Sequence, residues 1–290
     1  MKKIIFVLAA LSLAACNDKK ESTNVLEETV VETKKNGVLL YTLDGGEVSA
    51  NNLNLFAQGE TYKGQAKKLV DPYYVIKHPL GTLIWDTGLP EGLVGQNPYT
   101  TPDKAFTIAR RDSLVNQLAG IGMKPSDINY IAFSHIHFDH TGAANYFGDA
   151  TWLVQTPEYE FAMSEEIKQN GFYDPSSYAQ LKKVQQLNGD HDVFGDGSVI
   201  IKSMPGHTPG HQVLYLNMDI AGPVLLSGDM YHFYENRENG IVPQFNHDIP
   251  QSELSIKAFE AFATETGATV YIQHEPADFA KMPIAPNALN

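Results

Sequence analysis

The chain has a single cysteine in 290 residues, Cys16. No intramolecular disulfide can form, and anything folded beyond Cys16 has neither a thiolate metal ligand nor a cysteine nucleophile. Bases are scarce as well: 21 Lys and Arg stand against 34 Asp and Glu, a formal charge of -13. No basic patch relieves this balance, so a phosphate backbone would meet repulsion and nucleic acid is not an expected partner. Only Ile4 to Ala10 forms an apolar run near the start, well short of the roughly 20 residues that span a bilayer. Repeats and low-complexity blocks are absent. Histidine is also sparse, with 10 in the whole chain, yet three of them fall within six residues, His135-Ile-His137-Phe-Asp139-His140. Imidazole nitrogen and carboxylate oxygen suit zinc and similar divalent ions, so this density points to a metal site.

Met1-Lys2-Lys3, the apolar run and Leu13-Ala14-Ala15-Cys16 have the layout of a secretory signal. Their ending resembles the bacterial lipoprotein cleavage box, which implies that residues 1–15 are removed and Cys16 carries a lipid. Removal takes away Lys2 and Lys3 and no acid, bringing the charge to -15. Residues 16–36 are charged and lack aromatics, as expected of a flexible tether. Residues 37–290 suit one α/β catalytic domain. The resemblance implies an exported, membrane-anchored lipoprotein, and Asn17 after Cys16 favours the outer membrane.

Short β-branched and aromatic runs at Gly37–Leu43, Tyr73–His78, Thr82–Trp85, Asn129–Phe133 and Thr151–Val154 predict one set of strands. Val199–Ser203, His211–Leu216, Pro223–Leu226 and Thr269–Ile272 predict a second. Helical spacing predicts helices over Ser113–Ile121, Pro157–Ile167, Ser177–Leu187 and Gln251–Thr264. Two strand groups with helices between and after them indicate a sandwich of two sheets covered by helices. The His-rich stretch follows a strand directly, where α/β proteins place reactive groups.

His135 and His137 are two apart and can grip one ion from the same side. Asp139 and His140 must diverge from each other, so the stretch suggests two ions, which would need further ligands and a bridging carboxylate. Three later strand ends offer candidates: His207 within Pro205-Gly206-His207-Thr208-Pro209-Gly210-His211, Asp229 within Ser227-Gly228-Asp229, and His274 after Val270–Gln273.

His-x-His-x-Asp-His followed by His207, Asp229 and His274 resembles the metallo-β-lactamase superfamily from about Gly37 to His274, and Trp85-Asp86-Thr87-Gly88 matches its early Asp. The resemblance implies an αββα sandwich of two mixed β-sheets flanked by helices. It assigns His135, His137 and His207 to one metal, Asp139, His140 and His274 to the other, and Asp229 as the bridge, with zinc the expected ion. Asp86 would orient ligands, and His211 is expected beside the ligands rather than among them.

Within the superfamily the missing Cys and the bridging Asp229 set the chain apart from the β-lactamases, and the 16 residues after His274 leave no space for a glyoxalase II substrate domain. The loop Pro205–His211 and His274-Glu275-Pro276 resemble the N-acyl homoserine lactone lactonases. That implies quorum-signal lactones opened by a hydroxide shared between two ions, with Asp229, Asp139 and His232 as the catalytic side chains. His232 stands where many lactonases carry Tyr, and Tyr231, Phe233 and Tyr234 are expected near the acyl chain. A phosphotriesterase or arylesterase, and a non-catalytic metal-binding lipoprotein, remain the alternatives.

Overall fold

A computed structural model describes residues 35–290; the expected signal and lipidated Cys16 lie outside the described residues. Among the described residues, thirteen strands form two sheets. The first contains β1 (Leu39–Ala50), β2 (Lys67–His78), β3 (Gly81–Trp85), β4 (Tyr99–Thr100), β5 (Phe106–Ala109), β6 (Tyr130–Ala132), β7 (Thr151–Gln155) and β8 (Lys183–Leu187). They lie in the order β4-β5-β1-β2-β3-β6-β7-β8. The second contains β9 (His191–Asp192), β10 (Val199–Ser203), β11 (Gln212–Met218), β12 (Gly222–Leu226) and β13 (Thr269–Tyr271), in the order β13-β12-β11-β10-β9. Both sheets are mixed: β3, β6, β7 and β8 run parallel, as do β12 and β13, while the remaining pairs are antiparallel.

Alternation along the strands builds the layers. Tyr74, Ile76, Leu83 and Trp85 of the first sheet meet Val199, Ile201, Leu214, Leu216 and Leu226 of the second in one buried core. Their neighbours Tyr73, Val75, Ile84 and Trp152 face outward, against Leu114 and Leu118 of helix α1 (Leu114–Gly120). Val213 and Leu225 likewise turn to Phe259 and Ala263 of the later 18-residue helix, Ile249–Thr266. Each fully buried Leu or Ile contributes about 1.5–3 kcal/mol, so both faces of both sheets must be covered. The expected αββα sandwich follows from this.

Three local expectations need correction. Ser177–Leu187 is not a helix: turns cover its first half, and Lys183–Leu187 pairs parallel with β7 as the edge strand β8. Leu181, Val184 and Leu187 mimic a helical repeat, but the free backbone edge of β7 demands a strand partner. The segment Pro157–Ile167 is helical only in part, because α3 (Thr156–Ala162) stops before a separate turn at Glu166–Gln169. The first strand runs on to Ala50, past an irregularity between Asp44 and Glu47.

Candidate metal centre

Four ligand-bearing segments leave the C-terminal ends of strands. The His135 loop follows β6 and runs into the short helix α2 (Phe138–Thr141), while His207, Asp229 and His274 follow β10, β12 and β13. One strand of the first sheet and three of the second therefore open at one edge of the sandwich, and the loops meet there.

Three imidazole nitrogens converge. His135 Nε2 lies 2.8 Å from His137 Nδ1 and 3.2 Å from His207 Nε2, and the last two are 3.3 Å apart. Zinc–nitrogen bonds of about 2.0–2.1 Å imply tetrahedral N···N edges of about 3.3–3.4 Å, so two of these edges are already at coordinating length. Burial holds His135 and His207 well below the ordinary imidazole range and brings His137 down to about 4. All three are thus neutral and available to a cation. His207 is oriented by Asn246, whose Oδ1 accepts from Nδ1 at 2.8 Å and leaves Nε2 bare.

A second group, Asp139, His140 and His274, assembles alongside. Nδ1 of His274 donates to the Val70 carbonyl at 2.8 Å, again turning Nε2 inward. His140 Nδ1 sits 3.1 Å from Asp86 Oδ2. Asp86 also accepts from Ser134 N at 2.7 Å, and it is buried with a left-handed φ of 59°. A non-glycine residue held there costs about 1–3 kcal/mol, a strain placed where it orients a ligand.

Asp229 joins the groups. Its Oδ2 is 3.4 Å from His207 Nε2 and 3.7 Å from His135 Nε2, while Oδ1 is 3.1 Å from His274 Nε2 and 3.5 Å from His140 Nε2. Gly228 permits this placement. At φ +48° an added Cβ would come within 2.6 Å of Ser134 Cβ and 2.8 Å of His211 Nε2. His211 accepts from Asp229 N at 3.0 Å through Nε2 and so supports its backbone.

The residues fit two divalent cations. His140 Nε2 is buried without a hydrogen-bond partner, an arrangement costly unless a cation meets it. At His274 burial opposes a charge, yet Asp229 and Asp139 outweigh it and push the imidazole up to about 9. At His140 burial is likewise outweighed, here by Asp86, Asp229 and Asp139. Carboxylates that draw a proton onto a ligand nitrogen draw a metal ion to the same place.

The family description of the metallo-beta-lactamase superfamily matches residues 70–274, a span that contains every one of these groups. The chain belongs to the metallo-beta-lactamase superfamily. Within that superfamily it is 30% identical over 263 residues to the N-acyl homoserine lactonase AttM of Azorhizobium caulinodans, covering 86% of this chain and 97% of that protein. To an N-acyl homoserine lactonase of Bacillus sp. it is 32% identical over 208 residues, 70% of this chain and 80% of the other. A solved quorum-quenching N-acyl homoserine lactone hydrolase superimposes with a TM-score of 0.75 at 27% identity, covering 87% of this chain and 98% of that one. Another, with the product N-hexanoyl-L-homoserine at its catalytic metal centre, gives 0.74 at 26% identity over the same shares.

The seven residues expected as ligands from the superfamily pattern thus sit together, and His232 joins them with Nε2 3.0 Å from Asp229 Oδ2. The aromatic expectation needs correction. Tyr231 is packed under the Ile249–Thr266 helix and donates to Glu260, Tyr234 donates to Asp278, and Phe233 lies in the core behind Phe56. The pocket over the metal residues is walled instead by Phe56, Leu69, Phe106, Phe138, Phe172 and Phe245. These come from six separate stretches of chain and share no spacing along the sequence; only Phe138, inside the His-rich stretch, lies beside a motif.

Metal loading should stabilise the protein more as pH rises from 6.5 to 9. His274 is raised above its unfolded value of about 6.5, so in metal-free protein its stabilising contribution is complete below pH 6.5 and lost as pH passes through about 9. A bound cation replaces that proton. Melting temperatures with and without added zinc across this range should diverge with increasing pH, and a constant gap would contradict the assignment.

Proposed function

We propose that this chain opens the ring ester of N-acyl homoserine lactones with two zinc ions held by His135, His137 and His207, by Asp139, His140 and His274, and by the shared Asp229. One observation carries the reading: the two oxygens of Asp229 face two separate ligand groups at the floor of a phenylalanine-walled pocket. Such a lactone is neutral, with a compact polar ring and an apolar chain. Its two halves match the polar floor and the apolar walls. The named relatives act on, or are solved with, lactones of this class or their product.

When bound, the two ions supply Lewis acidity, polarising the ring carbonyl and acidifying water. The chain's own groups do the rest. The oxygen of water bonds to the carbonyl carbon, the ring C–O bond breaks, and Asp229 carries a proton from the attacking water to the departing ring oxygen. His232 Nε2 lies 3.0 Å from Asp229 Oδ2, and that same N–H turns to the oxyanion that develops on the carbonyl as Asp229 takes up the proton it carries. Phe106, Phe138 and Phe172 border both this pocket and an apolar trench with Leu93, Tyr99 and Ile108, which gives a long acyl chain a continuous path. Residues 1–36 are read as the signal, lipid and tether that would hold the enzyme at a membrane outside the cytoplasm.

Zinc-loaded protein should open acyl homoserine lactones and stop on chelation, and Asp229→Asn should lower kcat by about 10²–10⁴-fold. A fully loaded enzyme that ignored every such lactone and turned over a phosphotriester or aryl ester would move the assignment to those esters. His232→Phe should lower kcat by about 10²–10³-fold, with KM nearly unchanged, as expected on removal of one oxyanion donor; an unchanged kcat would leave His232 outside the chemistry. Cys16→Ser should move the protein from the membrane to the soluble fraction of its producing cell, and retention on the membrane would rule out the lipid anchor.

A further inference from the structure

Glu158 lies outside every ligand stretch, on α3, and is buried. Its Oε1 accepts from Ile136 N at 3.0 Å and from Thr208 Oγ1 at 2.9 Å, and its Oε2 accepts from Gly210 N at 2.7 Å. Ile136 stands between His135 and His137. Thr208 follows His207. A single carboxylate thereby ties together the two loops that supply all three imidazoles of one metal group. The loops also approach α3 as closely as backbone allows: a Cβ on Gly210 would fall 2.6 Å from Glu158 Cβ and 2.7 Å from Glu158 N.

The other group has different supports. His140 is held by Asp86 and Ser134, His274 by the Val70 carbonyl, and Glu158 touches neither. Among the described residues Glu158 also has no ion-pair partner, and burial pushes its carboxyl up to about 7 despite three donors. A carboxyl this costly to bury is poor material for a generic core contact, and a neutral side chain would pack there more cheaply.

We propose that Glu158 is a positioning residue that clamps the His135–His137 loop to the His207 loop and so sets metal affinity at that group, leaving the Asp139, His140 and His274 group untouched. The proposal rests on the two-metal reading but not on the lactone. In Glu158→Gln an amide N–H2 must face one of three donors, and removing such an outer hydrogen bond typically weakens metal binding by about 10–100-fold.

The test is a competition titration of zinc against a chromophoric chelator, with melting temperature followed in parallel. Wild type should hold two ions. Glu158→Gln should bind one ion about 10–100-fold more weakly and the other within about twofold of wild type. Adding Glu158→Gln to His207→Ala should weaken that site no further, because both changes act on the same group. Thr208→Val, which removes one donor and keeps the carboxylate, should shift the same site by less, and keeps the test open if the first variant does not fold. Leu118→Ala, a core change on α1 away from the loops, should leave both affinities alone. Equal weakening of both ions, wild-type affinity at both in folded Glu158→Gln, or the same loss in Leu118→Ala would each overturn the proposal. Wild-type protein that binds no metal would instead refute the metal centre, and two bound ions without lactone turnover would refute only the substrate.

Discussion

The site is organised around the mutual repulsion of its own side chains. Three buried neutral imidazoles point nitrogen lone pairs at one another, and Asp229 carries a negative charge into the same enclosure. Nothing in an apolar sandwich rewards this crowding; two cations between the groups would convert each repulsion into a bond. The strained backbone at Asp86, the tight passage at Gly228 and the orienting acceptors on His207 and His274 all become intelligible as means of holding lone pairs where they would otherwise not stay.

The sandwich supplies the rigidity. The ligand loops spring from strands whose inward residues share one core, so Ile201, Leu214 and Leu226 fix the places from which His207 and Asp229 emerge. Chemistry and fold meet at strand ends. Hydrogen bonds then cross between the layers, as in Gln212, whose N–H reaches the Ser134 carbonyl and whose side chain reaches that of Phe133.

Legibility in the sequence followed the range of the forces involved. His135 to His140 was readable because the ligands are neighbours in the chain, and His207, Asp229 and His274 because each follows an apolar run that ends abruptly. The long-range features were hidden. Five phenylalanine stretches become one wall only after folding, and Glu158 reads as an ordinary first-turn acid of a helix until its acceptors are seen to reach Ile136, Thr208 and Gly210. The edge strand at Lys183–Leu187 was misread because its apolar spacing serves a helix equally well, and the deciding partner, β7, lies some thirty residues earlier.

The position of His274 on the exit of β13 has a consequence for biogenesis. The ligands begin at residue 135 and end at 274, and β13 joins its sheet beside β12 in parallel register. A growing chain can present the first imidazole group long before the second exists. The entropy of closing so long a loop is offset only once the last strand docks, so the complete set of these groups is a property of the finished fold.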